Sequence, residues 1–190
     1  MSTAMENLRP QRISVDEFFR IVESGVLGED ARVELIDGEI IDMEPIGIDH
    51  GWWVDELTAM FHSSLGDSVA VRTQGALRLD DWNFFLPDVT VLKGPRSRYR
   101  RRHPTVDDIL LVIEVADSSL RKDLNIKRPI YLSHAAAEIW VVDVQKSVLH
   151  VQRASDGAAA PQKIALTPSA VISLHALPGV QVDLSRLAAE

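Results

Sequence analysis

Two acids and a lysine in this chain have the types and placing that hydrolysis of a phosphate ester requires. Glu114 stands inside the apolar run ILLVIEVA (109–116), Asp88 follows Pro87 at the start of PDVTVL (87–92), and Lys127 comes thirteen positions after Glu114. A carboxylate in an oily strand is costly to bury unless a cation, a metal or a proton compensates it. Two carboxylates with a backbone carbonyl beside them, here that of Val115, make an oxygen set suited to Mg²⁺ or Mn²⁺. Such an ion acidifies a water and offsets charge building up on a phosphate. A lysine near it orients or deprotonates that water, or holds a phosphate oxygen. The plainer reading of Glu114 is a structural acid near a strand end, bonded to neighbouring backbone. Spacing alone leaves both readings open, because triples of Asp, Glu and Lys abound in a chain of 190 residues.

The elements that must carry these residues can be read from periodicity. ILLVIEVA is the length of a strand buried on both faces, and alternation sends Leu110, Val112, Glu114 and Ala116 to one side. Residues 84–92 (FFLPDVTVL) read as the strand before it, with Pro87 marking an edge, a bulge or a first residue. If the two strands pair antiparallel, Asp88 and Glu114 meet. A helical piece over 122–137 then places Asp123, Lys127 and Tyr131 on one face. The strand 139–144 returns parallel to ILLVIEVA by the right-handed crossover rule, and a short turn at 145–147 joins it to a strand over 148–152. Upstream, Ser14 and Glu17 form a capping box for a helix over 14–23. Asp37-Gly38 is a two-residue hairpin turn. His50 opens an amphipathic helix that runs to Leu65 and is closed by Gly66. The sum is an α/β (α+β) fold, a central mixed sheet with helices on its faces.

Composition narrows the function classes. With no cysteine there is no disulfide, thiolate metal site or Cys nucleophile. No histidine pair has zinc-site spacing, and no G-x-S-x-G elbow is present. No run reaches membrane-spanning length, and MSTAMENLRPQR lacks the apolar core of a signal peptide, so the expected location is cytoplasmic. The net charge of −8 argues against a surface that clings to nucleic acid throughout. Yet Lys93, Arg96, Arg98, Arg100, Arg101 and Arg102 put six of the 20 cations within ten positions. That cluster reads either as a solvated loop or as a basic arm gripping phosphate at one place.

RVELIDGEI (32–40), PDVTVL (87–92), LLVIEVADSSL (110–120), KRPIYL (127–132) and AEIWVVD (137–143) agree in type and spacing with one family. Through them the chain resembles the Uma2 family (DUF820), a branch of the PD-(D/E)XK nuclease superfamily. The match runs in order from about Ser14 to Arg153. It implies a restriction-endonuclease-like core over about 30–153 in a single domain spanning 1–190, with an N-terminal helix (14–23) and a C-terminal appendage (154–190). It also implies cleavage of nucleic acid with a divalent metal, and a homodimer, since cutting two strands calls for two sites. The family's two acids fall on Asp88 and Glu114. The superfamily lysine normally stands two residues after the second acid, where this chain has Ala116; in Uma2-like sequences it has moved to the following helix, here Lys127. The resemblance adds Glu34 and His50 as candidate site residues. Pro129 leaves the aim of Lys127 open.

Two functions follow from these residues. The first is a Mg²⁺- or Mn²⁺-dependent endonuclease acting on DNA. Asp88, Glu114 and Val115 would bind the metal, Lys127, Glu34 and His50 would complete the site, and Arg96, Arg98, Arg100, Arg101 and Arg102 would track the backbone. The alternative is a catalytically inert nuclease fold that binds nucleic acid or a partner, favoured by the net negative charge and by Ala116.

Overall fold

A computed structural model describes residues 11–188 except 29, 135 and 158. The segment 1–12, weighed above as a signal peptide and found to lack its apolar core, lies almost wholly outside the described residues. The core is a six-stranded mixed sheet in the order β10-β9-β8-β7-β6-β3. Its strands are β3 (Val69–Thr73), β6 (Val89–Lys93), β7 (Ile109–Ala116), β8 (Glu138–Asp143), β9 (Val148–Arg153) and β10 (Gln162–Ala165). All eight residues of β7 are buried, as expected for a strand covered on both faces. β6 pairs with β7 antiparallel, β8 lies parallel to β7, and β8 and β9 form a hairpin. The alternation along β7 is not strict. A register shift opposite Val91 and Leu92 turns Leu110 to the same side as Leu111, Ile113 and Val115.

The stretch 84–92, expected as one strand, is two. β5 (Phe84–Phe85) belongs to a smaller sheet, β2-β1-β5-β4, built with β1 (Val33–Ile36), β2 (Glu39–Asp42) and β4 (Leu77–Arg78). Pro87 cannot donate to a ladder, so the chain leaves one sheet at Phe85 and enters the other at Val89. The β1–β2 turn has Asp37 at φ 51° and Gly38 at φ 80°, the left-handed pair that a tight hairpin needs.

One face of the large sheet packs on α2 (Ile48–Leu65) through Trp53, Val54, Leu57 and Phe61, together with Leu166, Ile172, Val182 and Leu184 from beyond β10. The other face takes the small sheet and the helical segment 120–133, with Phe85, Leu77, Val112 and Tyr131 between them. α1 (Val15–Glu23) closes the outside of the small sheet through Val15, Phe18 and Phe84, and its start carries the Ser14–Glu17 capping box. Among the described residues no helix is long and apolar enough to cross a membrane.

The loop between β6 and β7 has an anchor that periodicity did not reveal. Asp108 is 3% exposed and receives Arg102 at 2.6 and 3.0 Å, Arg98 at 3.3 Å, and the Thr105 backbone N–H at 3.1 Å. The Arg102 guanidinium beside it, above all, holds the Asp108 carboxyl far below the usual carboxylate range. A depressed carboxyl contributes stability that is present above its unfolded value and is lost as pH falls toward its folded value. Asp108→Asn is therefore expected to cost about 2 kcal/mol at pH 7. Urea unfolding repeated at decreasing pH should show the difference between variant and wild type shrinking below about pH 4.

Candidate active site

The site forms where the segment 84–93 crosses from the small sheet to the large one. With Pro87 unable to pair, the β6–β7 ladder stops at Val89 opposite Ile113, leaving Val115, which is paired with Val142 of β8 on its other side, without a partner on the β6 side. Asp88 takes that place: Val115 N–H donates to its Oδ2 at 2.8 Å. Its other oxygen, Oδ1, lies 3.2 Å from His50 Nε2 in the first turn of α2. From the small sheet, Glu34 on β1 accepts the Leu86 N–H at 2.8 Å, so the crossing segment holds both acids in place.

Helical segment 120–133 supplies the covering side. It is α3 (Leu120–Lys122), a π-helical turn (Asp123–Lys127) and α4 (Arg128–Ser133) in succession. Pro129 has no N–H for the preceding turn and its ring would crowd it, so the helix widens just before it. The Arg128 side chain donates to the Leu124 carbonyl at 2.9 Å within this stretch. The aim of Lys127, unsettled by sequence, is thereby fixed inward. Its Nζ is 2.9 Å from Glu34 Oε1 and 2.8 Å from Glu114 Oε1, and lies 5.5 Å from the Phe85 ring centroid. Tyr131, one turn on, donates its hydroxyl to the same Glu114 oxygen at 2.7 Å.

All five candidate catalytic residues, Asp88, Glu114, Lys127, Glu34 and His50, line one cavity of about 80 Å³, as does Val115. That is room for several waters. Asp123 lines it too, buried and hydrogen-bonded by the Ser119 hydroxyl. The mouth runs between 43–47 and 117–123, where Ser118 bonds Glu44 and Gln145 donates to Asp117 at 2.6 Å. Tyr131 and Asp123 were legible as one face with Lys127, but their contacts at Glu114 and Ser119 were not. The five arginines of the basic arm are not brought to this cavity. They are exposed and follow the far end of β6, roughly 15 Å from Asp88 at strand spacing. Arg98 and Arg102 are spent on Asp108.

The electrostatics show a surplus of acid. Burial, with the neighbouring Asp123, Asp88 and Glu34 charges, pushes the Glu114 carboxyl well above the usual range against the pull of Lys127. Burial likewise raises Asp123, despite Lys127 and the Ser119 hydrogen bond. For Lys127, burial opposes the charge but Glu114 and Glu34 outweigh it, so its pKa rises above the ordinary lysine value. Glu114 and Lys127 shift upward together because one ammonium cannot offset four buried carboxylates. His50 is raised first by its hydrogen bond to Asp88, and its Nδ1 is buried with no partner.

A divalent cation would supply the missing positive charge, and the donor set can be tested against one. Among the described residues no three His, Cys, Asp or Glu side chains form a ready cage. Mg²⁺ needs no such cage: it binds through one or two carboxylates and keeps waters or substrate oxygens for the rest. Asp88 and Glu114, with the Val115 carbonyl, fit that pattern.

This arrangement of a mixed sheet, a helical cover and acids at the seam defines a protein of nuclease fold. A solved structure of the same architecture, from Anabaena variabilis ATCC 29413, is described as "a putative nuclease belonging to DUF820". It aligns with a TM-score of 0.67 at 17% identity, over 92% of this chain and 97% of that one. The Uma2 family model, described as "Putative restriction endonuclease", matches residues 15–186. The chain belongs to the Uma2 family. No curated protein matches it.

Proposed function

We propose that this chain is an endonuclease that hydrolyses phosphodiester bonds of DNA with Mg²⁺ or Mn²⁺. The observation that carries the reading is the cavity in which four buried carboxylates, Glu34, Asp88, Glu114 and Asp123, share the buried ammonium of Lys127. The cation would be held by Asp88, Glu114 and the Val115 carbonyl, where it would lower the pKa of a water and neutralise phosphate charge. Lys127 stays protonated, so it serves as a fixed donor and positive charge, not as the base. From its position it holds Glu114 and Glu34 apart and attracts a phosphate oxygen entering the cavity. Tyr131 fixes the rotamer of Glu114, and His50 and the Val115 N–H fix that of Asp88, so neither acid must reorganise when substrate arrives.

The test is incubation of supercoiled plasmid with purified protein. Nicked or linear product is expected with Mg²⁺ or Mn²⁺ and none in EDTA. Intact plasmid under every metal condition, from folded protein, would overturn the proposal.

A further inference from the structure

Arg72 is the charged residue of this fold whose partners do not add up. It lies half-buried on β3, the outer strand of the large sheet, opposite Thr90 and two residues along from the Asp88 level. Its guanidinium is laid across Gly75: a Cβ there would stand 2.7 Å from Nε, 3.0 Å from Cζ and 3.1 Å from Nη2. Position 75 has no side chain, and that absence is the seat on which the guanidinium rests. Nη1 is buried and has no hydrogen-bond partner. An arginine carries five N–H donors in a planar fork, and leaving one buried and unpaired is costly.

Its neighbours deepen the contrast. The short 3-10 turn Arg96–Tyr99 packs against β3, which brings Arg96 toward Arg72. Burial first, and the Arg96 charge second, work against the charged state of Arg72. On another side His103 feels the same positive charge. Several other arginines are met by an acid: Arg78 by Asp16 and Asp81 at 2.8 Å each, and Arg102 by Asp108 at 2.6 Å. Here the charge acting on the arginine is another cation, Arg96, and Nη1 has no hydrogen-bond partner. Two neighbouring guanidiniums, one with an unpaired N–H, are the arrangement that an oxyanion satisfies.

We propose that Arg72, seated on Gly75, forms with Arg96 an oxyanion site that binds a backbone phosphate of the nucleic acid, apart from the cavity of Asp88 and Glu114. The choice of nucleic acid as occupant rests on the proposed function. It gives the basic arm a definite point of action: Arg96 works with a half-buried, pre-seated arginine, while Arg98 and Arg102 serve to hold the loop. A phosphate bound here adds affinity without touching the scissile bond, because the contact is to backbone and carries no base readout.

The experiment is fluorescence anisotropy of a labelled DNA oligonucleotide in EDTA, across a chloride series, with wild type, Arg72→Gln, Arg72→Lys, Arg96→Gln and Gly75→Ala. Arg72→Gln is expected to weaken binding about tenfold. It should also lower the slope of log affinity against log salt by about one. Arg72→Lys should keep the slope but lose part of the affinity, since the charge stays and the fork goes. Gly75→Ala should weaken binding by displacing the guanidinium, which tests the seat without removing the charge. It also serves if Arg72→Gln does not fold. Unchanged affinity and slope in folded Arg72→Gln, with the wild type binding, would overturn this site and leave the nuclease reading standing. Absence of DNA binding in the wild type would overturn the reading of nucleic acid as partner. A second arm keeps the site itself testable then: inorganic phosphate should raise the melting temperature of the wild type over chloride at equal ionic strength, and not that of Arg72→Gln. Equal shifts in both would overturn the site whatever the substrate.

Discussion

Glu114→Gln and Asp88→Asn should each lower metal-dependent plasmid cleavage by about a thousandfold or more while the fold survives. Both replacements keep shape and hydrogen-bonding capacity. A glutamine at 114 can still accept from Tyr131, and Lys127 retains Glu34 at 2.9 Å. An asparagine at 88 can still accept from the Val115 N–H. What each removes is the negative charge that a divalent cation needs, in a cavity where the remaining ligands are too few to replace it. Circular dichroism melts of the variants should stay within a few degrees of wild type, separating lost chemistry from lost structure. Cleavage by both folded variants at the wild-type rate would mean that these carboxylates do not bind the working metal. The same assay with Ala in place of Gln or Asn would be less telling, since a cavity and an unpaired Tyr131 or Val115 would confound it.

Lys127→Met carries the largest expected effect on stability. The ammonium is 3% exposed and sits between two carboxylates that are 1% and 3% exposed. Removing it leaves those acids opposed with no counter-charge, a loss of about 3–5 kcal/mol for a buried pair broken on one side. The loss should be partly recovered in the double variant Lys127→Met, Glu34→Gln, because one of the stranded charges is then gone. A double-mutant cycle by urea unfolding reads this coupling directly. A single-variant loss below about 1 kcal/mol would place the lysine in solvent rather than between the acids.

Much of this site was legible in the amino-acid order. A carboxylate inside eight apolar residues and a second beside a proline at the head of a strand singled out Glu114 and Asp88, and the antiparallel pairing of β6 with β7 sets both on the lining of one cavity. The bond from Val115 N–H to Asp88 ties the head of β6 to the residue beside Glu114. Glu34 and His50 stood out only through resemblance, because each sits in a commonplace context, a hairpin strand and a helix start. Periodicity reports which face a residue takes, not what lies across from it.

What the sequence hid lies mostly in the breaks of regular structure. Pro87 was seen to interrupt pairing, but not that the strand changes sheets there, which is what brings Glu34 within reach of Lys127. Pro129 was seen to disturb the helix, but the widening to a π turn depends on how the segment is packed over β7. Arg72 and Asp108 gave no signal, since half-burial of an arginine and full burial of an acid in a charged loop are set by tertiary neighbours. The basic arm was conspicuous in composition, yet two of its arginines prove to be ties to Asp108.

A crystal soaked in Mn²⁺ and measured at a wavelength where manganese scatters anomalously tests the central claim most directly. The account predicts one strong anomalous peak in the cavity, bonded to a carboxylate oxygen of both Asp88 and Glu114 at about 2.1–2.2 Å. An empty cavity at millimolar Mn²⁺, or a peak bound to neither acid, would contradict it.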